Sequence, residues 1–303
     1  MDCKTLLEKI LKLAKNRQAK RRDIWRKIKG DIILVLCLTG IIITLASLAA
    51  ILFDALQEGL PWLDIQFLTS FASRRPEQAG IFVAFFGSIW VVALTAFISF
   101  PLGVGAALYL EEYAPQNHLT SFIRLNISNL AGVPSIVYGI LGLALFVDAL
   151  SFGRSVLSGA LTLSLLILPV IIIVSQEAIR SVPRADREGA YALGATRWQV
   201  TRDIVVPQAF PGMLTGAILA LSRAIGEAAP MIAIAALVYI PFTPSGPLDR
   251  FTVLPIQIFN WVNQPQSEFR GLAAAGILVL LAVLLSINSL AIFIRNRYQK
   301  RGR

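Results

Sequence analysis

Long apolar blocks, each of a length that crosses a bilayer, constrain this chain more than any other feature. The hydrocarbon core is about 30 Å thick and needs about 20 mostly apolar residues per crossing helix. Only 15% of the 303 residues are charged, whereas soluble domains contain about 25%. We therefore predict an all-α integral membrane protein with six transmembrane helices. The apolar blocks lie at 31–53, 80–110, 122–147, 155–180, 212–240 and 271–294.

Features inside and before these blocks refine the prediction. Pro101 and Pro134 mark kinks or interruptions, because proline lacks the backbone N–H that a helix needs. The first block is too long for a cleavable signal and is expected to remain as an anchor. The basic leader before it has apolar residues at helical spacing, which favours a short amphipathic helix on the headgroups. A disordered basic tail is the alternative. The spaced residues are Leu6, Leu7, Ile10, Leu11 and Ala14.

Positive charge is concentrated at the two ends of the chain and in one central loop. The formal net charge is +10, and 11 of the 28 Lys and Arg lie in the first 29 residues. Because cytoplasmic segments carry the excess of Lys and Arg, both termini are predicted to be cytoplasmic. The segment 111–121 fits this scheme least well, since it carries Glu111 and Glu112 and no Lys or Arg. The basic residues lack the repeated aromatics of a base-stacking platform, so we expect membrane lipid and no nucleic acid as their partner.

The central loop 184–207 reads RADREGAYALGATRWQVTRDIVVP. Its pattern predicts two short amphipathic helices that meet at Gly194, where glycine permits a sharp turn, and an exit toward the next span at Pro207. Such a projection suits insertion into a groove on another protein. The expected apolar contacts come from Ala190, Tyr191, Leu193, Trp198, Val200 and Ile204.

The spacing of this loop resembles the EAA loop of bacterial ABC-importer permeases. Gly189 and Val206 depart mildly from the usual Ala and Leu. The resemblance implies a coupling helix seated on a cytoplasmic ATPase subunit. The residues it assigns to ATPase coupling are Glu188, Gly189, Ala190, Gly194, Ile204 and Pro207.

Three further stretches, at 132–146, 161–170 and 212–232, resemble the phosphate-specific permease family, and more closely its PstA branch. The resemblance covers about residues 80–298. It implies a type I ABC-importer permease fold in the bacterial inner membrane. It also implies a PstC-like sister permease, two PstB-like ATPase subunits and a PstS-like phosphate-binding protein outside. The chain has no G-x-x-x-x-G-K-[ST] pattern, so no cofactor is expected on it and ATP is expected to be used by the partner subunits.

With the resemblance, the chain divides into four parts. These are a basic cytoplasmic segment 1–30, a first membrane helix and outside loop 31–79, a permease module 80–298 and a basic tail 299–303. The outside loops 54–79 and 241–270 are longer than tight connections require. They are either docking surfaces for an extracytoplasmic partner or plain loops with interfacial aromatics such as Trp62 and Trp261.

Arg223 and Glu227 lie inside the fifth apolar block, where a charge costs about 2.5–3.5 kcal/mol. At i and i+4 they are neighbours on one helix face, together with the small residues Gly212, Gly216 and Ala220. Family resemblance favours a role for both in the anion path, because a guanidinium pairs well with phosphate oxygens. An internal salt bridge that fixes helix packing is the alternative.

A second candidate for the path is a broken helix that contains Ser135 and Tyr138. Gly132, Pro134 and Gly139 surround these residues, and freed backbone groups inside a membrane often line a path. Kinked packing is the alternative role. Glu177 and Arg180 are expected to form an interfacial pair.

Other function classes have less support. Within the same class, the chain is alternatively a PstC-type sister subunit or a permease for another oxyanion such as sulfate or molybdate. An ion-coupled secondary transporter or channel is the alternative of another class. An enzyme is disfavoured, since the chain lacks H-E-x-x-H and G-x-S-x-G motifs. His118 is expected to be a solvated loop residue, and Cys3 and Cys37 share no loop for a disulfide or metal site.

Overall fold

The computed structural model describes residues 3–235 and 240–299. The chain forms two units, Met1–Asp54 and Ala55–Arg303. The described residues contain no β-strand, which confirms the all-α prediction for them. The helices are α1 (Cys3–Gly59), α2 (Ile65–Thr69), α3 (Phe82–Leu108), α4 (His118–Leu130), α5 (Ser135–Gly142), α6 (Val156–Arg180), α7 (Arg184–Ala192), α8 (Arg197–Val200), α9 (Val206–Ile225), α10 (Ala229–Ala235), α11 (Leu254–Val262) and α12 (Glu268–Gln299).

The basic leader is helical from Cys3 and runs without a break into the first apolar block. It is therefore neither a separate short helix nor a disordered tail along its described backbone. The side-chain contacts expected of Leu6, Leu7, Ile10, Leu11 and Ala14 lie outside the described residues, as does the end of the basic tail at 300–303.

Five helical stretches are long and apolar enough to cross a membrane, and a bent pair raises the number to six if it counts as one span. The bent pair is α4 followed by Ser135–Ala149, with an angle of 101° between its halves. The interruption predicted at Pro134 within the block 122–147 is thus confirmed, and with this pair counted as one span the number of crossings agrees with the six predicted. Pro134 has no N–H to donate, and it disfavours helical backbone at the residue before it, so the helix breaks there. The five stretches are Lys29–Trp62, Phe82–Tyr113, Val156–Arg180, Arg197–Ile225 and Glu268–Leu290.

The fifth crossing has different limits from those predicted. It begins at Arg197, because α8 and α9 join through a π-helical turn at Thr201–Val205. This wider turn lies just before Pro207, where a regular helix would lose a hydrogen bond and clash. Pro207 is therefore inside a continuous helix and does not mark an exit from the loop. The crossing ends at Ile225, and residues 236–239 of the predicted block lie outside the described residues.

Helix α6 forms the centre of the core, with α3 and α9 packed against it through small residues. On the α3 side, the Thr95 hydroxyl donates to Ala160 O at 3.3 Å. On the α9 side, a Cβ at Gly216 would lie 2.0 Å from Cγ1 of Val174, so only glycine permits this approach. The predicted small face of α9 is therefore a helix-packing face.

The segment 240–253 covers the N-terminal end of α6. Backbone N–H groups of Val156 and Leu157 donate to the carbonyls of Asp249 and Pro247, at 3.0 and 2.7 Å. The first N–H groups of a helix have no partner inside it, so these loop carbonyls supply one. Since α6 has 25 residues, this end lies about 37 Å from Arg180 at the other end.

The two tryptophans suggested as interfacial aromatics both pack against other helices, Trp261 fully buried and Trp62 half-buried. Trp261 is buried beside Phe67, with ring centroids 5.7 Å apart. A Cβ at Gly271 would lie 2.2 Å from Nε1 of Trp62, so that indole sits directly on α12. Glycine residues of α12 leave room for both large rings, so the two tryptophans help to pack the outside loops onto this helix.

Candidate functional site

Arg223 and Glu227 lie together where helix α9 ends. Arg223 Nε donates to Glu227 Oε1 at 3.3 Å, which is the i,i+4 contact predicted from their spacing. Glu227, however, lies beyond the last helical residue, Ile225, in the break before α10. The Arg223 side chain is 62% exposed in the single chain, whereas Glu227 is 17% exposed. The half-buried carboxylate of Glu227 thus orients an exposed guanidinium.

Arg223 and Tyr138 line the same small cavity, between α9, α6 and the bend that joins α4 to α5. The Tyr138 hydroxyl donates to Leu130 O at 2.9 Å. This hydrogen bond stabilises the bend, because the broken helix leaves carbonyls at the end of α4 without helical partners. Ser135 begins α5 and is half-buried, and it is not among the residues that line the cavity. The structure therefore brings Arg223, Glu227 and Tyr138 to one region and leaves Ser135 aside.

The loop 184–207 contains the two predicted helices, α7 and α8, which meet at Gly194. Gly194 has φ of +83°, a left-handed conformation that glycine adopts without strain. Thr196 and Gln199 form a capping box that begins α8. The sequence therefore predicted the turn and the two helices correctly, but not the continuation of α8 into α9.

The loop presents apolar side chains outward. Leu193 is 91% exposed, and Tyr191 and Trp198 are also exposed, so these three are free to contact another protein. Val200 is buried and Ala190 packs beside the core, as expected. Exposed large apolar residues grouped on one projection are typical of an interaction surface.

The residues assigned to ATPase coupling differ in exposure. Of the six, Ala190 and Ile204 are half-buried, whereas the remaining four, which are given at the end of this paragraph, are exposed. A Cβ at Gly189 would meet no atom within 4 Å, so the glycine that replaces the usual Ala leaves open space. The exposed four are Glu188, Gly189, Gly194 and Pro207.

A π-helical turn at Tyr109–Tyr113, which we name the anchor segment, contacts the loop from the end of α3. Glu112 Oε1 lies 3.0 Å from Arg187 Nη1, and the Tyr113 hydroxyl donates to Thr201 Oγ1 at 3.3 Å. The Arg197 guanidinium carbon lies 5.2 Å from the centre of the Tyr113 ring, within range of a cation–π contact. The anchor segment thus touches both halves of the loop.

Glu111 of the anchor segment binds two more elements. Its carboxylate pairs with Arg124 of α4 and, at 2.9 Å, with Arg180 at the end of α6. Arg180 also pairs with Glu177 at 3.0 Å, as predicted. These contacts place segment 111–121 on the same side of the molecule as the loop 184–207. Sequence reasoning missed the cluster, and the available signal was the pair of acidic residues at the end of an apolar block, since a carboxylate that is buried there needs a positive partner.

The remaining candidates show no comparable site. His118 is exposed, but it begins helix α4 instead of lying in a loop. Within the described residues, no group of three His, Cys, Asp or Glu is placed to hold a metal ion.

Comparisons with known proteins agree with this architecture. Residues 99–300 match the family described as binding-protein-dependent transport system inner membrane component. The chain is 37% identical over 244 residues to the probable ABC transporter permease protein YqgI of Bacillus subtilis, covering 76% of this chain and 82% of that protein. It is 31% identical over 281 residues to the phosphate transport system permease protein PstA of Haemophilus influenzae, covering 92% and 97%.

Solved structures with the same fold include a chain of a bacterial alginate ABC transporter, with a TM-score of 0.65, 18% identity and coverage of 90% of this chain and 97% of that one. A chain of the MetNI methionine ABC transporter has a TM-score of 0.60 and 17% identity, and the match covers 72% and 97%. At this identity the likeness shows the fold alone. The expected importer-permease fold is therefore confirmed.

Proposed function

The chain belongs to the family of binding-protein-dependent transport system inner membrane components, and from this premise we propose that it is the PstA-type permease subunit of an ATP-driven phosphate importer. The observation that carries the choice of phosphate is the 31% identity to a phosphate transport permease over 92% of the chain. The protein is a multi-pass component of the bacterial inner membrane, with both termini cytoplasmic in the proposed orientation. It carries out no covalent chemistry.

The proposed partners follow from the family and from the exposed surfaces. A PstC-like sister permease completes the translocation path, and two PstB-like ATPase subunits hydrolyse ATP. The outward-facing Leu193 and Trp198 suit a groove on one ATPase subunit. A PstS-like binding protein delivers phosphate to the opposite side, where the segment 240–253 covers the end of α6.

In the path, Arg223 is the proposed contact for the anion. Its guanidinium has one N–H directed at Glu227, and 62% of the side chain is exposed. Planar guanidinium groups donate paired hydrogen bonds to phosphate oxygens, so the open edge suits phosphate. Glu227 keeps the guanidinium oriented and offsets its charge between transport events. Tyr138 holds the neighbouring bend and acts as a positioning residue.

Coupling is proposed to use the continuity of α8 with α9. Closure of the ATPase subunits displaces the loop 184–207, and the helix Arg197–Ile225 carries that displacement through the membrane to Arg223. The path then changes from outward to inward access. One helix therefore contains both an ATPase contact and the proposed anion contact.

The test is phosphate uptake by the whole complex in vesicles, with and without ATP and the binding protein. We expect uptake only when both are present. ATP-independent uptake that follows an ion gradient would contradict the proposal and favour a secondary transporter. Faster ATP-driven uptake of sulfate or molybdate than of phosphate would keep the importer class and reject phosphate.

A further inference from the structure

The two halves of the coupling loop are connected to the membrane helices in different ways. The second half, α8, is continuous with α9, so its movement passes along one helix. The first half, α7, contains no buried residue. Apart from its short backbone connection to α6, it reaches the helices behind it through side chains, and one such contact is the hydrogen bond from Gln208 Nε2 of α9 to Asp186 Oδ2 at 2.9 Å.

The Glu112–Arg187 pair is the contact that joins α7 to α3. Glu112 is only 6% exposed, and its Oε1 lies 3.0 Å from Arg187 Nη1. A second N–H of Arg187, on Nη2, donates to Ile179 O at 2.7 Å, near the end of α6. One side chain of α7 thus contacts the ends of two membrane helices.

The buried Glu112 carboxylate has the Arg187 guanidinium as its ion-pair partner. Glu112 Oε1 has no hydrogen bond among the described residues, so the Arg187 ion pair is what offsets its charge. A buried carboxylate without a partner is strongly disfavoured. Separation of the pair would leave the Glu112 carboxylate buried without a partner. We therefore expect Glu112 to move with α7.

The neighbouring residue supports the same role. Tyr113 contacts Arg197 and Thr201 in the second half of the loop. Residues 112 and 113 therefore bind the two halves from one π-helical turn. A displacement of the loop reaches α3 through these contacts and α9 through its backbone.

We propose that Glu112 and Arg187 are positioning residues that make α3 move with the coupling loop, so that ATP hydrolysis is coupled to opening of the path. This inference rests on the proposed function, because it requires an ATPase on the loop. The pair does not touch the transported anion. Its loss should uncouple ATP hydrolysis from transport while the ATPase stays bound.

The first test measures phosphate moved per ATP hydrolysed by the whole complex in vesicles. Glu112→Gln and Arg187→Gln are each expected to lower this ratio at least about fivefold, with ATPase subunits still copurifying. The exchanged variant, Glu112→Arg with Arg187→Glu, is expected to recover part of the ratio. The matched control is Arg202→Gln, which removes an exposed ion pair with Asp203 from the same loop region and should leave the ratio unchanged.

Two results would overturn the inference. One is an unchanged ratio in Glu112→Gln. The other is a proportional fall in hydrolysis, transport and bound ATPase, which is what a purely structural role produces.

The second test does not depend on the transported anion. Spin labels at the exposed positions Arg184 on α7 and Phe97 on α3 report the distance between the two helices, after replacement of Cys3 and Cys37 by Ser. We expect ATP to leave this distance nearly constant in the parent and to change or broaden it in Glu112→Gln. The same response to ATP in the parent and in Glu112→Gln would overturn the inference that this pair makes α3 move with α7. A parent that keeps the constant distance but moves no phosphate would reject phosphate as the substrate and leave this inference standing.

Discussion

Gly139 of α5 packs directly on Pro230 of α10, so that a Cβ on the glycine would lie 2.7 Å from the proline Cα. The bend between α4 and α5 therefore abuts the break between α9 and α10. Broken helices that meet inside a membrane protein often form the wall of a transport path. Arg223, Glu227 and Tyr138 all lie beside this meeting point.

Gly139→Ala is expected to destabilise the protein, because the new methyl group meets backbone atoms that cannot rotate away. The expected loss is about 1–3 kcal/mol, as for other overpacked sites. Thermal unfolding of the purified chain in detergent measures it. The control is Gly105→Ala in α3, where a Cβ meets no atom within 4 Å. Equal stability of the two variants would show that the close contact between the breaks is absent.

Arg223→Gln is expected to reduce ATP-driven phosphate uptake about tenfold or more, since it removes a charged donor. Arg223→Lys should retain more uptake than Gln but less than the parent, because it keeps the charge and loses the planar fork. Initial uptake rates in vesicles measure both.

Arg270→Gln provides the matched control, because it removes an exposed arginine at the start of α12. Its uptake should equal that of the parent, and the amount of assembled complex should be the same for all variants. Normal uptake by Arg223→Gln would remove Arg223 from the anion path and leave the internal salt bridge as its role.

The sequence predicted those features of the fold that depend on neighbouring residues. The apolar block 155–180 became Val156–Arg180, because length and hydropathy determine where a helix spans. The turn at Gly194 was likewise predicted, since a left-handed residue between two helices favours glycine. The ion pair of Arg223 with Glu227 followed from helical spacing alone.

Features that depend on distant residues were missed. Glu112 and Arg187 are 75 positions apart in the sequence, and only packing of α3 beside the loop shows that they pair. The acidic segment 111–121 fitted the charge-based orientation poorly, because the arginines that pair with its glutamates lie elsewhere in the sequence. The continuity of α8 with α9 was missed because Pro207 signals a helix end, whereas the π-helical turn before it accommodates the proline.

Leu193→Ser is expected to weaken binding of the ATPase subunit without affecting stability of the chain. An exposed apolar anchor contributes about 1 kcal/mol or more at an interface, which corresponds to roughly fivefold weaker binding. Copurification under mild detergent, with titration of the ATPase subunit, measures the change. Leu248→Ser, at a second exposed leucine on the opposite end, is the control. Reduced ATPase binding by both variants, or by neither, would contradict a specific docking role for Leu193.

Asp249 gives a prediction about pH for the segment 240–253. The backbone N–H of Ser245, its hydroxyl and the N–H of Gly246 all donate to Asp249 Oδ2, and together they lower the pKa of this carboxyl. A lowered pKa in the folded state means that the ionised carboxylate stabilises the turn above the unfolded pKa of about 3.9. This contribution is lost as the pH falls through the folded pKa.

We therefore expect hydrogen exchange at the N–H groups of Ser245 and Gly246 to be slow at neutral pH, after correction for intrinsic rates, and to lose protection below about pH 4. In Asp249→Asn the amide does not titrate, so protection should be weaker at pH 7 and independent of pH across this range. Ser245→Ala keeps the carboxyl and the backbone N–H donors of residues 245 and 246, so its pH dependence should be smaller than that of the parent but still present.

The turn also affects the start of α6. Because the backbone carbonyl of Asp249 accepts from the N–H of Val156, loss of the turn should increase exchange there. Protection that stays constant from pH 7 to pH 3 in the parent would show that these three donors do not hold the carboxylate.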